Sequence, residues 1–130
     1  MKLIVVRGFP GSGKSTFAKS LNIFHIEVDM FFTCNGKFEW DSEKSREYHS
    51  ECMTFARLAL RVGMDVVVSN VFARIREVEA YMELAKEYNA TFELYRALGD
   101  YGNIHNIPPD GLKYLQDAWQ NIPGERIVKF

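Results

Sequence analysis

Residues 2–16 read Lys-Leu-Ile-Val-Val-Arg-Gly-Phe-Pro-Gly-Ser-Gly-Lys-Ser-Thr. The first six form a short, β-branched apolar run that stops at glycine, the pattern of a strand buried on both faces. From Lys14 the pattern turns helical, with Phe17 and Leu21 four apart on one face. Between strand and helix, Gly8 to Ser15 satisfy G-x-x-x-x-G-K-[ST] without a mismatch. At this composition chance gives roughly 0.003 such matches, and a bare turn needs neither the Lys-Ser pair nor three glycines. Gly8, Gly11 and Gly13 let the backbone turn successive N–H groups inward around an anion. The helix that follows adds its positive end. Lys14 is spaced to reach β- and γ-phosphates, and the Ser15 hydroxyl to hold Mg²⁺. Gly8, Pro10, Gly11, Ser12, Gly13, Lys14, Ser15 and Thr16 are therefore the candidate site for a nucleoside triphosphate.

Outward from this loop, strands and helices alternate. Phe24–Val28 reads as a second strand. Asp41 is placed to cap a helix running to about Val62, with Gly63 closing it. On that helix Tyr48, Cys52, Phe55, Ala59 and Val62 recur at helical spacing and are expected on one inward face. Asp65–Ser69 reads as a third strand and Arg74–Tyr88 as a helix with Val78, Tyr81, Met82 and Ala85 inward, ended by Asn89. Thr91–Arg96 reads as a fourth strand, Gly99–Pro109 as loop, and Gly111–Trp119 as a helix with Leu112, Leu115 and Trp119 as its apolar stripe. Arg126–Phe130 reads as a fifth, edge strand. Such alternation predicts a three-layer α/β domain spanning residues 1–130, with a mostly parallel sheet of four or five strands and helices on both faces. Ligands in such sheets sit at the carboxyl ends of the strands.

Composition narrows the function. The 130 residues carry 16 Lys and Arg against 17 Asp and Glu, a formal charge of -1, which argues against a broad basic face for long nucleic acid. With 47% apolar and 25% charged residues the chain is an ordinary globular one, not a disordered one. No apolar run approaches the ~18 residues of a membrane helix. Cys34 and Cys52 lack metal-ligand spacing and read as reduced thiols, so a cytoplasmic protein without membrane partners is expected.

Asp29, read as the end of the second strand, is expected at the ligand edge. Its carboxylate suits a general base toward an attacking hydroxyl or a partner of Mg²⁺ through water; a plain turn residue is the structural alternative. Taken together, Gly8–Thr16, Asp29-Met30-Phe31-Phe32, Tyr48-His49 on a helix and Val66-Val67-Val68-Ser69-Asn70 resemble the 5′-kinase domains of bacteriophage-type polynucleotide kinases. They resemble even more the related small, AAA-like P-loop ATP-binding proteins, many of them phage-encoded. Tyr101-Gly102-Asn103-Ile104-His105-Asn106-Ile107-Pro108 is similar to the lid segment of that second group. The resemblance covers about residues 2–120.

That resemblance implies a kinase-type P-loop fold, ATP and Mg²⁺ as ligands, and the host cytoplasm as the location if the chain is phage-encoded. It implies Asp29 as general base, with Ser15 and Asp29 on the metal side. The family's third strand commonly ends in an aspartate; here Ser69-Asn70-Val71-Phe72 has none, and Asn70 brings hydrogen bonds without charge. The family's lid carries arginines; residues 97–112 contain no Lys or Arg. Arg96 before the lid is then the catalytic cation candidate, with Lys113, His105 and Arg76 as others. His49, Asn70 and Arg74 are acceptor-side candidates, and His25 reads as structural. Phe31, Phe32, Phe38 and Trp40 suit either base stacking or a hydrophobic cluster beneath a loop.

Two functions follow. One is transfer of the γ-phosphoryl of Mg·ATP to a hydroxyl of a nucleic-acid 5′ end or a nucleoside-like molecule. The other is a nucleotide-binding module, a switch or partner-binding protein with weak or no kinase activity, favoured by the missing third-strand acid and the arginine-free lid. A GTPase is disfavoured, because there is no Asn-Lys-x-Asp segment and no Asp-x-x-Gly after the third strand.

Overall fold

The computed structural model describes residues 1–34, 37–38, 41–99 and 109–129. Its elements in chain order are β1 (Lys2–Arg7), α1 (Lys14–Ser20), β2 (Phe24–Ile26), α2 (Asp29–Phe32), β3 (Thr33–Cys34), β4 (Lys37–Phe38), α3 (Ser42–Arg61), β5 (Val66–Asn70), α4 (Ile75–Glu87), β6 (Thr91–Ala97), α5 (Pro109–Ala118) and β7 (Arg126–Val128). Five strands form one sheet in the order β2-β5-β1-β6-β7, and every pairing in it is parallel. β1 lies at the centre, in register Val5↔Val68 on one side and Val5↔Leu94 on the other. The three-layer α/β architecture read from the alternation is the observed one, with β7 at the edge as expected.

Strand alternation divides the side chains between two cores. Leu3, Val5, Val66, Val68 and Leu94 point to one face, where Cys52, Ala56, Ala59 and Leu60 of α3 and Val78, Tyr81, Leu84 and Ala85 of α4 cover them. Ile4, Val6 and Val67 point to the other, against Ala18, with Phe17 and Leu21 of the α1 region beside them. The helix ends follow their sequence signals. Asp41 accepts the Glu43 N–H at 2.9 Å and caps α3. At the other end Gly63, at φ 83, lets Met64 N–H reach Ala59 O at 2.8 Å.

Four expectations are corrected. The second strand stops at Ile26, so Asp29 does not end a strand but opens the one-turn helix α2. The inward face of α3 is Cys52, Ala56, Ala59 and Leu60, whereas Phe55 is 37% and Val62 70% exposed. Tyr48 turns instead to α2, where Phe32 meets it edge-on at 4.7 Å and Phe31 stacks on it at 5.5 Å. Spacings of three and four define several overlapping stripes on a 20-residue helix, and the covering elements decide which of them is inward. On α4 it is Leu84 that is fully buried, while Met82 is only partly so. On α5 no residue is buried, and Trp119 follows the helix end instead of completing an apolar stripe in the core.

The Phe31–Phe32 pair is thus engaged in packing against α3. Trp40 of the same cluster, the side chains of Phe38 and Cys34, and the lid segment with His105 lie outside the described residues. No helix among the described residues is long and apolar enough to cross a membrane.

Candidate functional site around the phosphate loop

The loop after β1 is held between its neighbours. Gly8 N–H donates to Val71 O at 3.3 Å, just past β5, and Ser12 O accepts from Gly99 N–H at 2.9 Å, just past β6. Gly8 has no room for a side chain: a Cβ there would lie 2.3 Å from Ser12 Oγ and 3.0 Å from the Ala97 carbonyl oxygen. Gly11 at φ 79 and Gly13 at φ 88 take the left-handed conformation that turns amides inward, and Gly13 caps α1. Lys14 and Ser15 open that helix. Burial lowers the Lys14 pKa, and the charges of Asp29 and Glu27 oppose this, so both carboxylates act on its ammonium group.

Ser15 meets a residue that the sequence reading passed over. Its hydroxyl donates to Glu27 Oε2 at 2.5 Å, and the Ser69 hydroxyl donates to the same oxygen at 2.7 Å. Since Ser69 gives its only hydroxyl proton to Glu27, His25 Nε2, 2.6 Å from Ser69 Oγ, must be the donor in that contact. Burial alone would raise the Glu27 pKa. Hydrogen bonds from His25, Ser15 and Ser69 outweigh it and hold the carboxyl low, at about 2. A readable signal existed: His25 and Glu27 alternate with Ile26, which places two polar side chains on one side of a short strand.

Asn70 ends β5 with Oδ1 accepting the Val28 N–H at 2.8 Å. It therefore ties the sheet to the turn that carries Asp29. His49 stands on α3 at the solvent edge of this region. Desolvation lowers its pKa, with the charges of Glu77 and Asp29 opposing. The loop, Asp29 and Asn70 are thus brought to one edge, with His49 exposed on α3. Arg74 is turned toward α5, donating to Tyr114 Oη at 3.0 Å and pairing with Glu77 at 3.8 Å. Arg76 and Lys113 are exposed.

On the β6–β7 side a second cluster forms. Arg7 and Arg96 are register partners on β1 and β6, and their guanidinium carbons lie over the Trp119 ring at 3.9 and 4.6 Å. Glu125 receives both, from Arg7 at 2.8 Å and from Arg96 at 3.5 Å. Phe9 of the phosphate loop packs on Trp119 at 4.4 Å. Arg96 thus sits within this cluster, next to the loop. Among the described residues, Ser12 Oγ, Asn70 Nδ2, Arg96 Nε and Trp119 Nε1 are the buried side-chain polar atoms without a hydrogen-bond partner. All four lie at this edge. Buried polar atoms left unpaired cost about 1–3 kcal/mol each unless water or a ligand meets them.

Comparison with known proteins gives the family and the fold. The family model described as an AAA domain, AAA_33, matches residues 3–97, a span that begins in β1 and ends with β6. An uncharacterised protein of Pasteurella multocida is 28% identical over 123 residues, covering 81% of this chain and 69% of that protein. A protein of Autographa californica nuclear polyhedrosis virus named "Putative bifunctional polynucleotide kinase/RNA ligase" is 31% identical over 106 residues, 70% of this chain but only 15% of that protein. The APS kinase CysC of Mycobacterium tuberculosis, solved with AMPPNP and APS, shares the fold with a TM-score of 0.65 at 16% identity, over 98% of this chain and 87% of that one. The matched span contains the phosphate loop, Glu27, Asp29 and Asn70 together, and the chain belongs to the AAA_33 family of AAA domains, built on the fold of the P-loop kinases.

Proposed function

We propose that residues 1–130 act as one ATP-dependent phosphotransferase domain, moving the γ-phosphoryl group of Mg·ATP to a hydroxyl of a nucleic-acid 5′ end or a nucleoside-like molecule. The observation that carries this reading is the form of the loop: Gly11 and Gly13 are left-handed, Lys14 and Ser15 open α1 past the carboxyl end of β1, and Asn70 Oδ1 holds the turn that carries Asp29 at the same edge. In this reading the inward amides of Gly8–Thr16 bind the phosphates and Lys14 balances their charge. Asp29 takes the proton of the attacking hydroxyl, with Asn70 holding the turn beneath it. Arg96 is the candidate cation toward the phosphates, and His49 and Arg74 are the candidates on the acceptor side.

The donor set suits Mg²⁺, because Ser15 presents a hydroxyl with a buried carboxylate behind it and a hard cation takes oxygen ligands. When bound, the ion would neutralise phosphate charge. The acceptor class is supported by the virus relative's name and by the near-neutral charge, which suits a short end or a single nucleoside better than a long polymer.

The test is transfer of label from γ-labelled ATP, with Mg²⁺, to 5′-hydroxyl oligonucleotides and to free nucleosides. Transfer is expected to vanish in Asp29→Ala, while calorimetric binding of ATP persists. Tight ATP binding with no transfer to any acceptor would favour the binding-module function instead.

A further inference from the structure

Ser69 and Asn70 leave the end of β5 without an acid beside the phosphate loop, yet a carboxylate does reach Ser15. We infer that Glu27 is the carboxylate of the Mg²⁺ site, carried by the turn after β2 instead of by the end of β5. The inference rests on the reading of the loop as a Mg·nucleotide site.

Three observations support it. First, Glu27 Oε2 lies one hydrogen bond from the hydroxyl assigned to the metal, within reach of water on the same ion. Mg²⁺ keeps several waters and uses one or two protein carboxylates, so a single acid at this distance suffices. Second, β2 and β5 are parallel neighbours with Ile26 opposite Val68, so the residues one step further, Glu27 and Ser69, stand side by side at the same level. Carrying the acid on β2 moves it by one strand and not along the sheet. Third, the two positions exclude each other. Ser69 donates to Glu27 at 2.7 Å, and an aspartate in its place would set two carboxylates against each other. The serine on β5 is what a glutamate on β2 requires. His25 behind Ser69 completes an outer shell that orients the group.

The experiment measures ADP affinity of the whole chain by titration calorimetry, with Mg²⁺ and with EDTA. The ratio of the two affinities reports the metal. Glu27→Gln keeps an acceptor for both serine hydroxyls, and it is expected to cut this ratio by about 10–100-fold while metal-free ADP binding holds. Glu27→Gln combined with Ser69→Asp returns a carboxylate to β5 and is expected to restore the ratio. An unchanged ratio in Glu27→Gln, or equal loss with and without Mg²⁺, overturns the inference and leaves Glu27 a structural hub. Wild-type protein that binds no ADP under either condition overturns the phosphate-loop reading itself, and this inference with it. Should Glu27→Gln fail to fold, Mn²⁺·ADP added to the wild type supplies the answer. Paramagnetic broadening of the His25 and Ser69 resonances, with Glu93 toward the other end of β6 unaffected, is expected, and its absence counts against the site.

Discussion

Two polar clusters flank the phosphate loop, and they are built on opposite principles. On the β2–β5 side one carboxylate, Glu27, gathers the hydroxyls of Ser15 and Ser69. Beneath Trp119 one guanidinium, Arg7 of the central strand, gathers the carbonyls of Phe72 and Ala73 past β5, the Gln120 carbonyl and the carboxylate of Glu125 before β7. Hydroxyls turn about a single bond, so the first cluster can trade a hydrogen bond for a ligand. Each nitrogen of Arg7 is bonded and its side chain is 0% exposed, so the second cluster has no such freedom. The loop therefore has an adaptable anion on one side and a fixed cation on the other. Arg96 belongs to the fixed side: it contacts Trp119, Asn121 and Glu125.

The sharpest way to break this contrast is Arg7→Ala. Removing one partner of a buried pair strands the other, and here it also unpairs the Phe72, Ala73 and Gln120 carbonyls, so a loss of about 3–5 kcal/mol is expected in urea unfolding. Arg7→Lys should recover little of it, because one ammonium group cannot serve acceptors that a planar fork holds together. If Arg7→Ala proves no worse than Glu27→Gln, the two sides are not built differently after all.

Next in size is an effect on chemistry with little on binding. Asn70 touches the turn before Asp29 and not the loop's phosphate-binding residues. Asn70→Ala leaves the Val28 N–H unpaired and Asp29 loosely held, and a small misplacement of a reacting group costs up to about 100-fold in rate. The expected signature in the label-transfer assay is a fall in kcat with the KM for ATP nearly unchanged. Equal change in both would place Asn70 with the phosphate loop.

The same contrast explains what could be read from the chain. The loop, the Asp41 cap and the Gly63 stop are local: residue type and spacing fix them within a few positions, and the structure has them where the sequence puts them. Asp29 was legible as a residue at the edge but not as a helix start, because the strand's end is decided by Asn70, 42 positions away, bonding the Val28 N–H. Glu27 was hidden by its place in a run that reads as a strand; its partner Ser69 becomes a neighbour only when β2 pairs with β5. Trp119 was misassigned for a similar reason. Helical spacing marks it as apolar, but only the pairing of β1 with β6 sets Arg7 beside Arg96 under its ring.

The smallest expected effect concerns the floor beneath the adaptable cluster. Cys52 of α3 is fully buried behind β5, and burial pushes its thiol up to about 12. At pH 9 only about one thiol in a thousand would then be ionised, and the thiolate is the reactive form. Alkylation mapped by peptide mass should leave Cys52 untouched in the native protein at pH 8 and at pH 9, and label it fully in denaturant. A native rate near that of an exposed thiol would mean that α3 is not seated on the sheet. The mobility assigned to the hydroxyls around Glu27 would then belong to the whole helix above them, and the two sides of the loop would differ in packing and not in chemistry.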